Sequence, residues 1–248
     1  MAITRISGHP ELHQDSGFTM IELLITMVIS GIIMAAVYAA YTVQRKTYEA
    51  QDQITEMQQN IRAALWYMVP DIRMAGYDPT EKAKAKIRLD DTTYYTKKNR
   101  ISFSLDLNED GDTKNVPLGN DPNENVAYGF SDTDDPNFDG VIAGSSAAEL
   151  GRNVNNSGFQ PFADNISAIE FQYVLVDGTK VLAPNNFQAT RIRAVEISIL
   201  ARAKYPDRNF TNQMTYTTAS GATWGPYNDN FRRLLLTATV QCRNLGLH

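Results

Sequence analysis

The chain has 248 residues, with 23 Lys and Arg against 28 Asp and Glu, and its net charge of −5 is spread along its length, which argues against a nucleic-acid groove. Its single cysteine, Cys242, rules out an intramolecular disulfide, and no Cys/His cluster is present that would hold zinc. Beyond an N-terminal apolar run there remain roughly 200 residues, enough for one sizeable domain with its own core.

A polar stretch comes first, Met1 to Gly17, in which Arg5 stands against Glu11 and Asp15. From Phe18 to Val43 follow 26 residues with Glu22 as the only charge. As a helix rising about 1.5 Å per residue they extend about 39 Å, enough to cross a bilayer with some tilt. A cleaved secretory signal carries an apolar core of only about 7–15 residues behind a basic start, so the run reads as a membrane-spanning helix. A carboxylate inside such a span is costly and by default marks function. The alternative is that Glu22 snorkels to the headgroups from the helix end. Arg45 and Lys46 follow directly, and local charge taken alone would hold that flank in the cytoplasm.

Past the span, Ile54, Met57, Ile61, Ala64, Leu65, Met68 and Ile72 recur at spacings of three and four among polar residues, so the helix is expected to continue as an amphipathic one. Pro70 should kink or loosen its last turns, and Gly76 followed by Asp78-Pro79 marks its stop near Met74. The remainder reads as strands: 101–107, 126–130, 169–176, 181–182, 191–203 and 232–243, with Asp177-Gly178 as a hairpin turn between the third and fourth. In 191–203, Val195, Ile197, Ile199 and Ala201 oppose Glu196, Ser198 and Arg202, which predicts one face under the helix and one wet face. Cys242 shares the inward parity of Leu234, Leu236, Ala238 and Val240, a core thiol rather than a reactive one. The fold class is therefore α+β, a long N-terminal helix on an antiparallel sheet.

Catalysis by histidine is nearly excluded, because His9 and His13 precede Gly17 and His248 is the last residue. The exception to a chemically quiet chain is Asp106-Leu107-Asn108-Glu109-Asp110-Gly111-Asp112. It sets Asp106, Asn108, Asp110 and Asp112 at alternate positions with Gly at the sixth, like the first half of a calcium loop. Positions nine and twelve would be Lys114 and Pro117, so Asp121 or Glu124 must fold back to complete a Ca2+ site, and Asp132, Asp134, Asp135 and Asp139 are further candidates. The competing reading is a solvated acidic turn.

The Gly17-Phe18 junction, the apolar run after it and Glu22 at the fifth position past Gly17 together resemble the class III signal of type IV pilin precursors, although the acidic leader departs from the family's usual basic ones. The resemblance implies cleavage after Gly17 by a prepilin peptidase, N-methylation of Phe18, and a Glu22 carboxylate that pairs with the terminal ammonium of a neighbouring subunit. It implies three segments: a leader (1–17), a transmembrane half-helix (18–43) and a pilin domain (44–248) that is periplasmic and later part of an extracellular fibre. Segments 70–77, 169–173 and 233–244 narrow the resemblance to PilW-type minor pilins, and J-type pseudopilins of type II secretion share the plan. The implied partners are major and minor pilins, the peptidase, an inner-membrane assembly platform and the lipid bilayer, and the implied role is in the initiation and assembly of a type IV pilus, in its priming or tip complex. The rival from another class is a membrane-tethered binding or adhesion protein with a plain anchor.

Overall fold

A computed structural model describes residues 17–89, 95–113, 123–144 and 146–245. The expected leader up to Ser16, with His9 and His13, lies outside the described residues, as do Lys114, Pro117, Asp121 and His248. Helix α1 (Met20–Met74) is a single 55-residue element, and the chain divides into two compact units, one ending at Glu49 and one beginning at Ala50. In the first unit the helix exposes apolar side chains all round, among them Leu24, Ile25, Val28, Ile29 and Ile32, and it is long and apolar enough to cross a membrane.

Within the second unit one helical stripe, Met57, Ile61, Ala64, Met68 and Ile72, is buried on the main core. Ile54 was expected on that stripe but is 38% exposed, because the buried part of the stripe begins one turn later, at Met57. The core's other wall is an antiparallel sheet with strand order β1-β2-β3-β4-β6-β9: β1 (Arg100–Ser104), β2 (Asn125–Gly129), β3 (Ala148–Val154), β4 (Gln160–Leu175), β6 (Ile192–Arg202) and β9 (Arg233–Gln241). A short β5 (Lys180–Val181) pairs with β4 across the expected Asp177-Gly178 turn, where Gly178 takes a φ of +82°. A one-turn helix α2 (Asn186–Ala189), closed by a capping box between Asn185 and Gln188, leads into β6.

Polar contacts fix the helix on the sheet. Asp71 Oδ2 accepts from the Tyr128 hydroxyl at 2.6 Å and from Arg152 Nη2 at 2.9 Å, joining α1 to β2 and β3. Burial, with the Asp71 carboxylate beside it, pushes the Tyr128 hydroxyl well above the ordinary tyrosine range. Asn60 acts as a clasp: its amide donates to the Asp164 carbonyl and its oxygen accepts from the Asp164 N–H at 3.3 Å. The helix runs through Pro70 to Met74 and stops where Gly76 adopts a φ of +77°. A Cβ there would lie 2.4 Å from Leu245 Cδ2, so the chain's end occupies the space a side chain would need. Gly76 N–H donates to Ser104 O at 2.9 Å, and Arg243 N–H donates to Arg73 O at 3.2 Å, satisfying one of the helix's open carbonyls.

Two expectations need correction. The 101–107 strand ends at Ser104, because the Asp106 N–H donates to Tyr77 O at 2.7 Å and its carboxylate turns away into the following loop. The second sheet face is not uniformly wet: a hairpin of β7 (Tyr216–Thr217) and β8 (Thr223–Trp224) forms a second cluster, Ala168, Leu200, Tyr216 and Trp224, against which Leu235 packs. Ser198 on that face is buried and accepts from the Ala219 N–H at 3.0 Å, so parity alone misjudged its exposure.

Cys242 is buried in the main core, and burial pushes its thiol up to about 12. An unfolded thiol titrates near about 8.5, so stability held by the neutral buried thiol is full below that pH and is lost as pH rises toward the folded value. Iodoacetamide at pH 8 should therefore leave Cys242 of the detergent-solubilised chain unlabelled until denaturant is added, and Cys242→Ala should flatten the alkaline loss of stability. Rapid labelling of the native chain would contradict this packing.

Candidate functional site

At the exposed start of α1 the sequence Thr19-Met20-Ile21-Glu22 has the Ser/Thr-x-x-Glu spacing of a helix cap, and the geometry follows. Glu22 Oε2 accepts from both the Thr19 N–H and the Thr19 hydroxyl at 2.9 Å, while the Glu22 N–H donates to Thr19 Oγ1 at 3.3 Å. The Leu23 N–H donates to Thr19 O at 3.2 Å, the first turn of the ladder. The single carboxylate of the apolar run is thereby held inside its own first turn, at the end of the helix where negative charge is favoured. Thr19 is not among the residues singled out above, and the signal for it is its three-residue spacing to Glu22. Phe18 is 88% exposed, and a Cβ on Gly17 would meet nothing within 4 Å. Nothing in the described fold itself requires glycine at 17.

The acidic turn is the second candidate. Asp106 is fully buried and its Oδ2 accepts from the Gly111 N–H at 3.1 Å and the Thr80 hydroxyl at 3.3 Å. Asn108 Oδ1 accepts from the Asp110 N–H at 3.1 Å, and Asp110 Oδ1 accepts from the Asp112 N–H at 3.0 Å. Glu124, also fully buried, does fold back: its Oε1 accepts from the Leu107 and Asn108 N–H groups at 2.8 and 3.2 Å. The later acidic stretch is engaged elsewhere, with Asp132 on Arg100, Asp134 on Ser131, Asp135 on Asn99 and the Gly140 N–H, and Asp139 on the Val141 N–H. Among the described residues no three His, Cys, Asp or Glu side chains group as a metal cluster, so any cation here would need amide or backbone oxygens besides Asp106 and Glu124.

The described residues contain no histidine, and the one thiol is in the core. What the geometry offers is an exposed apolar helix with a locally satisfied carboxylate, and a domain carrying an acidic turn.

Two family models match the chain: prepilin peptidase-dependent protein B over residues 50–219 and the prokaryotic N-terminal methylation motif over residues 12–38. Among solved structures, a type IV-like pilin from Thermus thermophilus aligns at 13% identity with a TM-score of 0.41, covering 76% of this chain and 97% of its own. No curated protein matches significantly.

Thr19→Val removes the hydroxyl but keeps the bulk of the side chain, so the first turn loses two of its three cap contacts. In micelles, amide exchange of residues 19–23 should then quicken by about tenfold while exchange beyond Ser30 is unchanged, and Thr19→Ser should restore it. Equal exchange in all three chains would show that the cap does not hold the turn.

Proposed function

The chain belongs to the family of prepilin peptidase-dependent protein B, and on that premise we propose that it is a PilW-type minor pilin that takes part in initiating a type IV pilus, in its priming or tip complex. The observation that carries this reading is the methylation motif lying over the capped start of α1, whose exposed apolar part, 20–43, has Glu22 as its only charge. In this reading the leader ends at Gly17, Phe18 becomes the N-methylated terminus, 18–43 spans the inner membrane once, and 44–248 stands in the periplasm until it enters the fibre.

The chemistry of each residue supports its part. Glycine at 17 is unexplained by the described fold, which fits a requirement imposed from outside, by a peptidase that approaches the backbone at the scissile bond. Cleavage leaves an ammonium at Phe18 that desolvates as helices stack in lipid, and a carboxylate of a neighbouring subunit relieves that penalty. Thr19 keeps Glu22 at the helix end, where such an ammonium arrives, and both carboxylate oxygens retain further acceptor capacity. The partners are other pilins, the peptidase, the inner-membrane assembly platform and the bilayer. Long connections such as 130–144, which follows β2, and 203–232, between β6 and β9, suit a low-copy position better than the repeating fibre body, where bulky loops hinder dense stacking. The role is one of assembly, not catalysis.

Gly17→Ala should leave the chain at precursor size on a gel, and a mature N-terminus at Phe18 in that variant would sink the cleavage assignment. Glu22→Ala should be cleaved and inserted normally but recovered in sheared fibres at about one tenth of the unsubstituted level or less. Unchanged recovery would favour a plain membrane anchor.

A further inference from the structure

We propose that the Asp106–Asp112 turn, with Glu124 at its base, binds one calcium ion. The argument begins with Asp106. Its side chain is fully buried, yet Oδ1 has no hydrogen-bond partner and no cationic group pairs with the carboxylate among the described residues. Three carboxylates of this domain are answered by arginine, Asp71 by Arg152, Asp207 by Arg232 and Asp229 by Arg233, and buried Asp135 is met by Asn99 and the Gly140 N–H on one oxygen. A buried carboxylate without a counter-charge is expensive, and the usual resolutions are an ion pair or a metal.

The surroundings of Asp106 select the metal. Its other oxygen takes the Gly111 N–H, so the carboxylate faces into the turn, and a second buried carboxylate, Glu124, is held against the same turn through the Leu107 and Asn108 N–H groups. Gly111, sixth from Asp106, has a φ of +87°, the left-handed conformation that lets the chain reverse sharply around an ion. Every donor available is oxygen: Asp106, Asn108, Asp110, Glu124 and the backbone carbonyls of the turn. Such a set suits a hard cation and offers zinc nothing it prefers. Calcium tolerates the irregular, partly main-chain coordination that this turn provides, whereas magnesium demands a near-octahedral shell and dehydrates reluctantly. The ion would tie the turn that follows β1 to Glu124, the residue just before β2. This reading is independent of the chain's role in a fibre.

Calcium chloride is titrated into the detergent-solubilised full chain by calorimetry, and unfolding is followed in calcium, in magnesium and in chelator. One equivalent of calcium should bind, and the Tm should rise by a few degrees, with a smaller response to magnesium. Asp106→Asn tests the buried ligand but risks the fold, so exposed Asp110→Asn is the second variant. It should melt like the unsubstituted chain in chelator and bind calcium about tenfold more weakly or worse, since affinity follows ligand charge. Identical melting in calcium and chelator with no heat of binding would overturn the proposal. So would calcium binding by Asp110→Asn with undiminished affinity.

Discussion

A helix that is apolar on every side has no stable place in water, and that constraint governs residues 20–43 of this chain. From Met20 to Val43 no side chain is buried by the rest of the protein, so lipid or other helices must supply what the fold does not. The same helix then changes character, narrowing to one buried stripe from Met57 to Ile72. In the first part, Glu22 is held by the Thr19 N–H and hydroxyl, which makes the one carboxylate of the apolar run part of a helix cap.

The domain that begins at Ala50 depends on closing the helix's far end. Gly76 bends the chain, Ser104 accepts its N–H, and the C-terminal residues Arg243 and Leu245 fill the space and the hydrogen bonds left open. Thus the first and last segments of the domain are locked to each other, with the Asp71–Arg152–Tyr128 group holding the helix against the middle of the sheet. Each of these three side chains bonds to the other two, so carboxylate, guanidinium and buried phenol act as one contact.

Much of this plan was legible in the residues. The helical stripe, the Gly76 stop, the Asp177-Gly178 hairpin and the inward parity of β6 and β9 all follow from spacing, because period and turn chemistry are local properties. β3 was not legible. Gly151 sits mid-strand and reads as a breaker, but it is needed because Phe159 lies 2.6 Å from where its Cβ would be. The first half of β4 is hidden likewise: Pro161 pairs with Gly151 and Asn165 has a φ of +56°, so these residues carry no regular strand pattern. The hairpin of β7 and β8 is too short to carry a period, and its effect on Leu200 and Ser198 is purely tertiary. At the candidate sites, the return of Glu124 to the turn was foreseen as a condition, while Thr80's hydroxyl on Asp106 has no local signal at all.

The methylation motif and the domain family make this a prepilin peptidase-dependent chain, and one measurement tests, without altering it, the proposal that it is a pilus subunit. Sheared, purified fibres are digested and the chain's N-terminal peptide is quantified by mass spectrometry. The account predicts a peptide that begins at N-methylated Phe18, present at a small fraction of the principal subunit. Fibres free of this chain, with all of it retained in the inner membrane, would contradict it.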